Sequence, residues 1–177
     1  MDESEDIIIK AKENANDRNY YLEKVKTMPM LLEWASEEIK NDKEVVLEAV
    51  KVDPGALEFS STKLKDNKEI AITAVSKAGW TSCYLSERLK DDKEVILAAA
   101  KNDGQVLYFA SQRLRDDNDI VLEAVKNKPI ILKYASLRLR GNKEIAIAAV
   151  TKGKKKVIEY LTEELQKDEE ILKILEE

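Results

Sequence analysis

The chain has 177 residues, with 30 Lys and Arg against 35 Asp and Glu, one Cys, no His and a formal net charge of −5. The absence of His removes most general acid–base schemes, His-activated nucleophiles and the commonest metal ligand, and a single Cys excludes an intramolecular disulfide and a thiolate zinc site. No apolar run approaches the roughly 20 residues that cross a bilayer, and the acidic start from Met1 to Asp6 is unlike a signal or transit peptide, so we expect a cytoplasmic or otherwise intracellular protein.

The elements in chain order begin with an apolar-periodic segment at residues 4–14, which predicts a helix within an N-terminal cap. From residue 16 onwards the sequence repeats every 25 residues, with one extra residue near Gly153 in the last copy. The whole chain is therefore interpreted as one repeat domain, 1–177. Its parts are an N-terminal cap at 1–15, repeats at 16–40, 41–65, 66–90, 91–115, 116–140 and 141–166, and a C-terminal cap at 167–177.

Each repeat begins with a predicted helix. In the second repeat, Val45, Val46, Ala49 and Val50 have the spacing of one helical face. Asn or Asp followed three residues later by Glu, as in the pairs that start at Asn41, Asp66 and Asp91, predicts a capping box at these residues. A breaker ends the helix, and we expect glycine at this position to supply a left-handed turn. The breakers are Pro29, Pro54, Gly79, Gly104 and Pro129.

A second helix is predicted to follow at once, as from Ala56 to Lys65. It carries an aromatic row and a row of hydroxyls, which we interpret as core residues, the hydroxyls bonding a carbonyl one turn back. A base-stacking platform and a ladder of hydroxyl or phosphorylation sites are the functional alternatives. The aromatic row is Trp34, Phe59, Tyr84, Phe109, Tyr134 and Tyr160, and the hydroxyl row is Ser36, Ser61, Ser86, Ser111, Ser136 and Thr162.

Two helices this short need neighbours, because isolated helices below about 12–15 residues are marginal in water. Stacked helical hairpins bury both apolar faces. The sequence therefore predicts an all-α fold, an α-solenoid of about six 25-residue helical hairpins with capping helices at both ends.

The repeat phrase resembles a known family. D-D-K-E-V-x-L-x-A-x-K, then Gly or Pro, then L-x-[FY]-A-S-x-x-L-[KR], runs from Asp91 to Arg115 and less closely through residues 41–65 and 116–140. This is similar to the repeats of the domain-of-unknown-function 4116 family, and the resemblance covers residues 16–166. It implies a helical repeat, and it supplies no activity and no catalytic residues.

Basic residues recur in two rows. The first, called the basic ribbon below, is Lys63, Arg88, Arg113 and Arg138. The second is Lys40, Lys65, Lys90, Arg115 and Arg140. Stacking would align the ribbon into an electropositive strip for an acidic or phosphorylated partner or a nucleic-acid backbone. In the alternative, the side chains are solvated or paired with Asp66, Asp91, Asp92, Asp116 and Asp117.

Two aromatic residues, Trp80 and Tyr108, have no aromatic counterpart in the other repeats. Exposed Trp and Tyr favour interface anchoring, whereas in the alternative Trp80 fills the volume lost where Ser82 replaces a core Leu. Cys83 is interpreted as a small apolar residue rather than a redox site.

Two charged clusters remain. Asp116, Asp117 and Asp119 lack EF-hand spacing and are interpreted as helix caps rather than metal ligands. Lys152, Lys154, Lys155 and Lys156 form either an anion-binding patch or a loop that the acidic C-terminal residues neutralise.

The favoured hypothesis is a non-enzymatic scaffold for a protein partner, with neither cofactor nor metal. Its contact residues are the basic ribbon, Trp80 and Tyr108. The alternative is binding of nucleic acid or anionic lipid through the basic rows, which predicts affinity that falls steeply with salt. A monomer is expected, although ragged ends that resemble partial repeats would also allow end-to-end stacking.

Overall fold

The computed structural model describes residues 3–176, and every regular element in that range is helical. The α-helices are α1 Glu3–Glu13, α2 Arg18–Lys24, α3 Glu37–Lys40, α4 Lys43–Val52, α5 Thr62–Lys65, α6 Lys68–Val75, α7 Glu87–Lys90, α8 Lys93–Asn102, α9 Val106–Phe109, α10 Asn118–Asn127, α11 Leu137–Arg140, α12 Lys143–Gly153, α13 Glu163–Gln166 and α14 Glu169–Glu176. The 3₁₀ helices are Pro29–Trp34, Pro54–Phe59, Gly79–Tyr84, Leu114–Asp116, Pro129–Tyr134 and Lys154–Tyr160.

The longer helices α4, α6, α8, α10 and α12 start 25 residues apart, as the repeat predicts. Their N-caps are one residue later than predicted. Asp42, for example, accepts hydrogen bonds from the amides of Glu44 and Val45, whereas Asn41 caps the C-terminus of α3. The capping box proposed from Asn41, Asp66 and Asp91 is therefore wrong, and these three residues are free for another role.

The second half of each repeat is not one helix. In the second repeat the predicted helix Ala56–Lys65 is divided into the 3₁₀ helix Pro54–Phe59 and the single turn α5. Ser60 and Ser61 between them have extended backbones, with ψ of 159° and 155°. Ser61 Oγ accepts a hydrogen bond from the amide of Leu64 at 3.3 Å, so this serine is an N-cap rather than a core spacer.

Successive repeats are joined by a backbone hydrogen bond at this serine. The amide of Ser61 donates to the carbonyl of Lys40 at 2.9 Å, and equivalent bonds reach back from Ser36, Ser86, Ser111, Ser136 and Thr162. An extended N-cap leaves its own amide outside the helix that it begins, so this donor can reach the preceding repeat. The same serine therefore starts one helix and fastens two repeats.

The core lies between two layers. The longer helices pack against one another in chain order, and the 3₁₀ segments form a second layer that does the same, with α9 in the place of a 3₁₀ helix. Val45, Val46, Ala49 and Val50 are fully buried, and so are the equivalent residues of α6, α8, α10 and α12. Each buried Val, Leu or Ile contributes about 1.5–3 kcal/mol relative to exposure, so the stack depends on its neighbours rather than on any single helix.

The glycine at the breaker position allows close approach rather than a left-handed turn. No glycine in the described range has a positive φ, so that expectation was wrong. A Cβ atom on Gly104 would lie 2.3 Å from the carbonyl oxygen of Ala124 in the next longer helix. The proline of other repeats begins the 3₁₀ helix, as Pro54 does, because its missing amide is not needed there.

Both ends are covered by helices. α1 packs against the first 3₁₀ helix, and the hydroxyl of Tyr21 donates to the carbonyl of Ala11 at 3.0 Å. α14 packs against α12 with Ile171 fully buried. Within residues 3–176, none of the helices has the length and apolar character that crossing a bilayer requires.

Candidate partner-binding surface

The arginines of the basic ribbon lie against the aspartate that begins their own repeat. Nε of Arg88 donates to the Asp66 carboxylate at 3.0 Å, and its Nη2 donates to the backbone carbonyl of Asp66 at 2.7 Å. Arg113 and Arg138 make the same two contacts with Asp91 and Asp116. These three side-chain pairs, called the arginine clamps below, therefore join the first residue of a repeat to an arginine near its end.

A serine completes each arginine clamp. Oγ of Ser86 donates to the Asp66 carboxylate, and the same oxygen accepts the amide of Leu89. The serine hydroxyl and then the guanidinium lower the pKa of Asp66, and the same donors act on the other two clamp aspartates. The ribbon is thus a row of ion pairs at its three arginines, which is the alternative left open from the sequence.

Lys63, the first residue of the ribbon, has a different neighbour. The position that would hold its acidic partner is occupied by Asn41, whose side-chain oxygen accepts a hydrogen bond from Ser61 Oγ at 2.8 Å. Lys63 is exposed. Lys63 is consequently the ribbon residue that has no aspartate at the position where the three ribbon arginines have one.

A second set of ion pairs joins the starts of the longer helices. Lys68 binds Asp92 and Glu94, both at 2.8 Å, and Lys93 binds Asp117 and Asp119, also at 2.8 Å. Arg18, Lys43 and Lys143 make equivalent contacts with the following repeat. Of the three acids predicted to be helix caps, Asp117 is the N-cap of α10 and binds Lys93 together with Asp119, whereas Asp116 belongs to an arginine clamp. Among residues 3–176 no group of three or more potential metal ligands lies together.

Residues of the second basic row form ion pairs with a nearby glutamate or donate hydrogen bonds to backbone carbonyls. Lys40 and Lys90 pair with the glutamate three residues before them. The guanidinium of Arg115 donates to the carbonyls of Ala110 and Tyr108 at 3.0 and 2.8 Å, and Arg140 donates to the carbonyl of Tyr160. The two arginines therefore bind backbone carbonyls of the second layer.

The aromatic row is half-buried, so it is neither a closed core nor an open stacking platform. The Tyr84 hydroxyl donates to Glu58 at 2.8 Å, and burial together with this carboxylate raises the pKa of Tyr84 to about 12. Nζ of Lys12 lies 4.3 Å from the Trp34 ring centroid. The row therefore packs the edge of the second layer with contacts across repeats.

Trp80 is 45 % exposed and lies across the preceding repeat. A Cβ atom on Gly55 would be 3.3 Å from its ring, and its ring centroid is 6.0 Å from that of Tyr84. Ser82, which replaces a core leucine, is fully buried and donates to the carbonyl of Gly79 at 2.6 Å. The indole thus covers Gly55 at the surface, and Ser82 is satisfied by its own hydrogen bond.

Tyr108 is 53 % exposed and belongs to a larger surface. Its ring centroid is 5.1 Å from that of Tyr134 in the next repeat. Tyr134, Gln112 and Leu137 line one groove of about 490 Å³, and an adjoining groove of about 480 Å³ shares Gln112 and Ser136 with it. The residues of this Tyr108 surface, as we call it, are Tyr108, Gln112, Arg113, Tyr134, Leu137 and Arg138.

Of the six expected contact residues, the structure brings Arg113 and Arg138 together in one groove, and Tyr108 contacts Tyr134, which lines the adjoining groove. Trp80, Lys63 and Arg88 belong to earlier repeats and do not line these grooves. Binding by any of the six stays a prediction.

Leu137 is the residue that the sequence analysis missed. It is 69 % exposed, the most exposed of the large apolar side chains. A signal was present, because the same position holds Glu37, Thr62, Glu87 and Gln112 in the preceding repeats. Leu137 is thus an apolar residue at a position that is polar in the four preceding repeats, so the stacking of repeats does not require an apolar side chain there.

Cys83 is partly buried, and that burial raises the pKa of its thiol above the usual range. A raised pKa disfavours the reactive thiolate. This agrees with its interpretation as a small apolar residue.

The cluster of Lys152, Lys154, Lys155 and Lys156 lies at the inserted residue. Lys152 and Lys154 donate to backbone carbonyls, of Lys126 and Ile174 respectively. Within residues 3–176 none of the four forms an ion pair. The neutralisation expected from the acidic C-terminal residues is therefore not observed among the described residues, and Glu177 lies outside them.

Comparison with protein families gives four overlapping matches to the family described as domain of unknown function (DUF4116), at residues 17–65, 67–115, 92–140 and 117–166. Comparisons with curated proteins and with solved structures gave no match.

Proposed function

The chain belongs to the DUF4116 family, and we propose that it is a non-enzymatic α-solenoid of six 25-residue repeats that binds a protein partner. The proposed contacts are the Tyr108 surface and Trp80. The family description assigns no activity, so the proposal rests on the geometry of this chain.

The solenoid is supported by contacts that recur at the same repeat positions. The serine-to-carbonyl backbone bond is present at six junctions, from Ser36 to Thr162. The lysine contacts at the helix starts add side-chain bonds between neighbouring repeats. The arginine clamps join the first residue of a repeat to an arginine near its end. When each repeat contacts only its neighbours, the array presents an extended surface at fixed spacing.

The observation that carries the binding proposal is the exposure of Tyr108 and Leu137. Both are large, both are more than half exposed, and neither matches its counterparts in the other repeats. Tyrosine is enriched among the residues that dominate binding energy. Stacking gives no reason for apolar side chains at these two positions, because the glutamates found there in other repeats serve equally well.

The clamps add hydrogen-bond donors to this surface. Arg113 and Arg138 use Nε and Nη2 in the clamp, and within the described chain no hydrogen bond is made by their Nη1 groups. A guanidinium carries five N–H donors. The preferred partner segment therefore places an apolar side chain against Tyr108 and Leu137 and an oxygen acceptor near the arginines.

A non-enzymatic role is supported by the titratable groups. The carboxylates with lowered pKa are engaged with a lysine, arginine or serine side chain of the repeat array. Perturbed groups in structural ion pairs do not indicate catalysis. Nucleic-acid binding along the ribbon has less support than protein binding, because the clamp carboxylates neutralise its arginines.

The test is affinity capture from native lysate with a triple variant, Trp80→Gln, Tyr108→Glu and Leu137→Glu. Each substitution installs a residue that another repeat carries at the same position, namely Gln105, Glu58 and Glu87. Folding is therefore preserved, which circular dichroism and thermal melting check. Loss of a single anchor costs about 2 kcal/mol, or roughly thirty-fold in affinity.

The matched control is Met30→Gln, which makes the same change to an exposed apolar residue in the first repeat. Partners retained by the wild type and the control but lost in the triple variant support the proposal. Equal retention by all three proteins contradicts it. Recovery of nucleic acid alone, vanishing with salt, favours the alternative.

A further inference from the structure

The inserted residue in the last repeat opens a cavity with apolar walls. The cavity has a volume of about 700 Å³, and its apolar lining comes from Pro129, Ile130, Val157 and Leu175. These residues belong to three segments, which are the 3₁₀ helices Pro129–Tyr134 and Lys154–Tyr160 and the helix α14. Ile130 is 40 % exposed and extends the apolar wall to the surface.

The rim of this cavity is positively charged. It is lined by the four lysines of the cluster, Lys152, Lys154, Lys155 and Lys156. Lys155 and Lys156 are exposed and make no side-chain hydrogen bond or ion pair within residues 3–176. Like charges gathered at one rim repel one another, and a bound anion relieves that repulsion.

The backbone at the rim is held in an unusual conformation. Lys154 has φ of 49° and ψ of −143°, a positive φ for a side chain other than glycine. A Cβ atom on the preceding Gly153 would lie 2.7 Å from Val157 and 2.8 Å from Pro129. Close packing on both sides therefore fixes the conformation, and such conformations are concentrated at ligand sites.

We propose that this cavity binds a single-chain amphiphile with an anionic head group. Small-molecule sites are concave, largely apolar and about 300–1,000 Å³ in volume, with a few polar groups that orient the ligand. The apolar walls take the alkyl chain, and the ammonium groups of Lys155 and Lys156 bind the carboxylate or phosphate head through charge-assisted hydrogen bonds. The site is an open groove, the proposed ligand is the free amphiphile, and binding of a bilayer instead is one outcome of the test.

The experiment is a calorimetric titration of the full chain with decanoate at low salt. Acetate supplies the head group without the chain, and decyltrimethylammonium supplies the chain with a cationic head. Two variants test the two parts of the site. Lys155→Gln with Lys156→Gln removes the head-group contacts, and Ile130→Gln installs on the wall the residue that Gln105 provides in the preceding repeat.

The matched control is Lys63→Gln with Lys101→Gln, two exposed lysines outside the cavity. The proposal expects saturable decanoate binding with one site, weakened at least about ten-fold by each test variant and unchanged in the control. No saturable binding, equal binding of decyltrimethylammonium, or decanoate affinity unchanged by the lysine substitutions overturns it. Association with phosphatidylserine vesicles in the absence of decanoate binding also overturns it.

Discussion

Replacing Gly104 by Ala tests how closely the fourth and fifth repeats are packed. The added Cβ atom would lie 2.3 Å from the carbonyl oxygen of Ala124, about 1 Å inside ordinary contact, and 3.1 Å from its carbonyl carbon. These are backbone atoms of α10, so relief requires α10 to move. Overpacking of this kind costs about 1–3 kcal/mol, and reduced freedom of the unfolded chain returns about 0.4–1 kcal/mol. We expect a net loss of about 1–2 kcal/mol.

The matched control is Gly55→Ala in the second repeat. There the nearest atoms are a flexible carboxylate oxygen of Asp53 at 3.1 Å and the edge of the Trp80 ring at 3.3 Å, both on side chains. Neither glycine has a positive φ, so the backbone conformation itself does not disfavour alanine at either position. The control is expected to be neutral or slightly stabilising.

Urea unfolding followed by circular dichroism measures both changes, and amide hydrogen exchange shows whether the loss is concentrated in α8 and α10. Repeat arrays open locally, so the exchange measurement is needed beside the global one. An equal effect of the two substitutions, or a Gly104→Ala chain as stable as the wild type, would refute the close approach as the reason for glycine at this position.

Two further predictions concern the clamps. Ser111→Ala removes an N-cap and a donor to Asp91, and we expect a loss of about 1 kcal/mol in urea unfolding. The control Ser76→Ala changes an exposed serine that makes no side-chain hydrogen bond within residues 3–176, and it should change stability by less than about 0.5 kcal/mol. The clamp aspartates have lowered pKa values in the folded state, so their contribution is fully present above their unfolded pKa of about 3.9 and is lost as the pH falls through the folded values. Unfolding free energy measured from pH 6 to pH 2 should decline in that window, and the decline should be shallower when all three are changed to Asn; an identical slope would contradict the role of the clamps.

The sequence predicted the parts of the fold that depend on periodicity. The starts of the longer helices follow a 25-residue spacing, and the apolar positions at Val45, Val46, Ala49 and Val50 are buried as predicted. The continuous second helix was wrong because the serine that could continue a helix bonds instead to the preceding repeat. That bond depends on stacking, which a single repeat read by itself does not contain.

The candidate site could be predicted only in part. Trp80 and Tyr108 stood out because their counterparts are not aromatic, and both are exposed. Leu137 was overlooked because leucine in a helical segment is ordinarily counted with the core. The sequence left the pairing of Arg88 with Asp66 as one of two alternatives. Two residues that are 22 positions apart can be recognised as neighbours only once the packing of the repeats is known.

Departures from the repeat are of two kinds, and the distinction identifies the residues available for recognition. Asn118 replaces the lysine of other repeats, and its side-chain oxygen faces Asn142, which replaces the capping aspartate one repeat later, at 3.4 Å. The lysine and the capping one of its two acidic partners are thus exchanged together, so the net charge of the junction is unchanged, while the second acidic position keeps Glu144. Tyr108 and Leu137 have no such compensating change. The Tyr108 ring contacts Tyr134 of the next repeat, yet both Tyr108 and Leu137 stay more than half exposed. A substitution balanced by its neighbour preserves the packing of the repeats, so the unbalanced, exposed substitutions are the ones that we assign to the proposed binding surface.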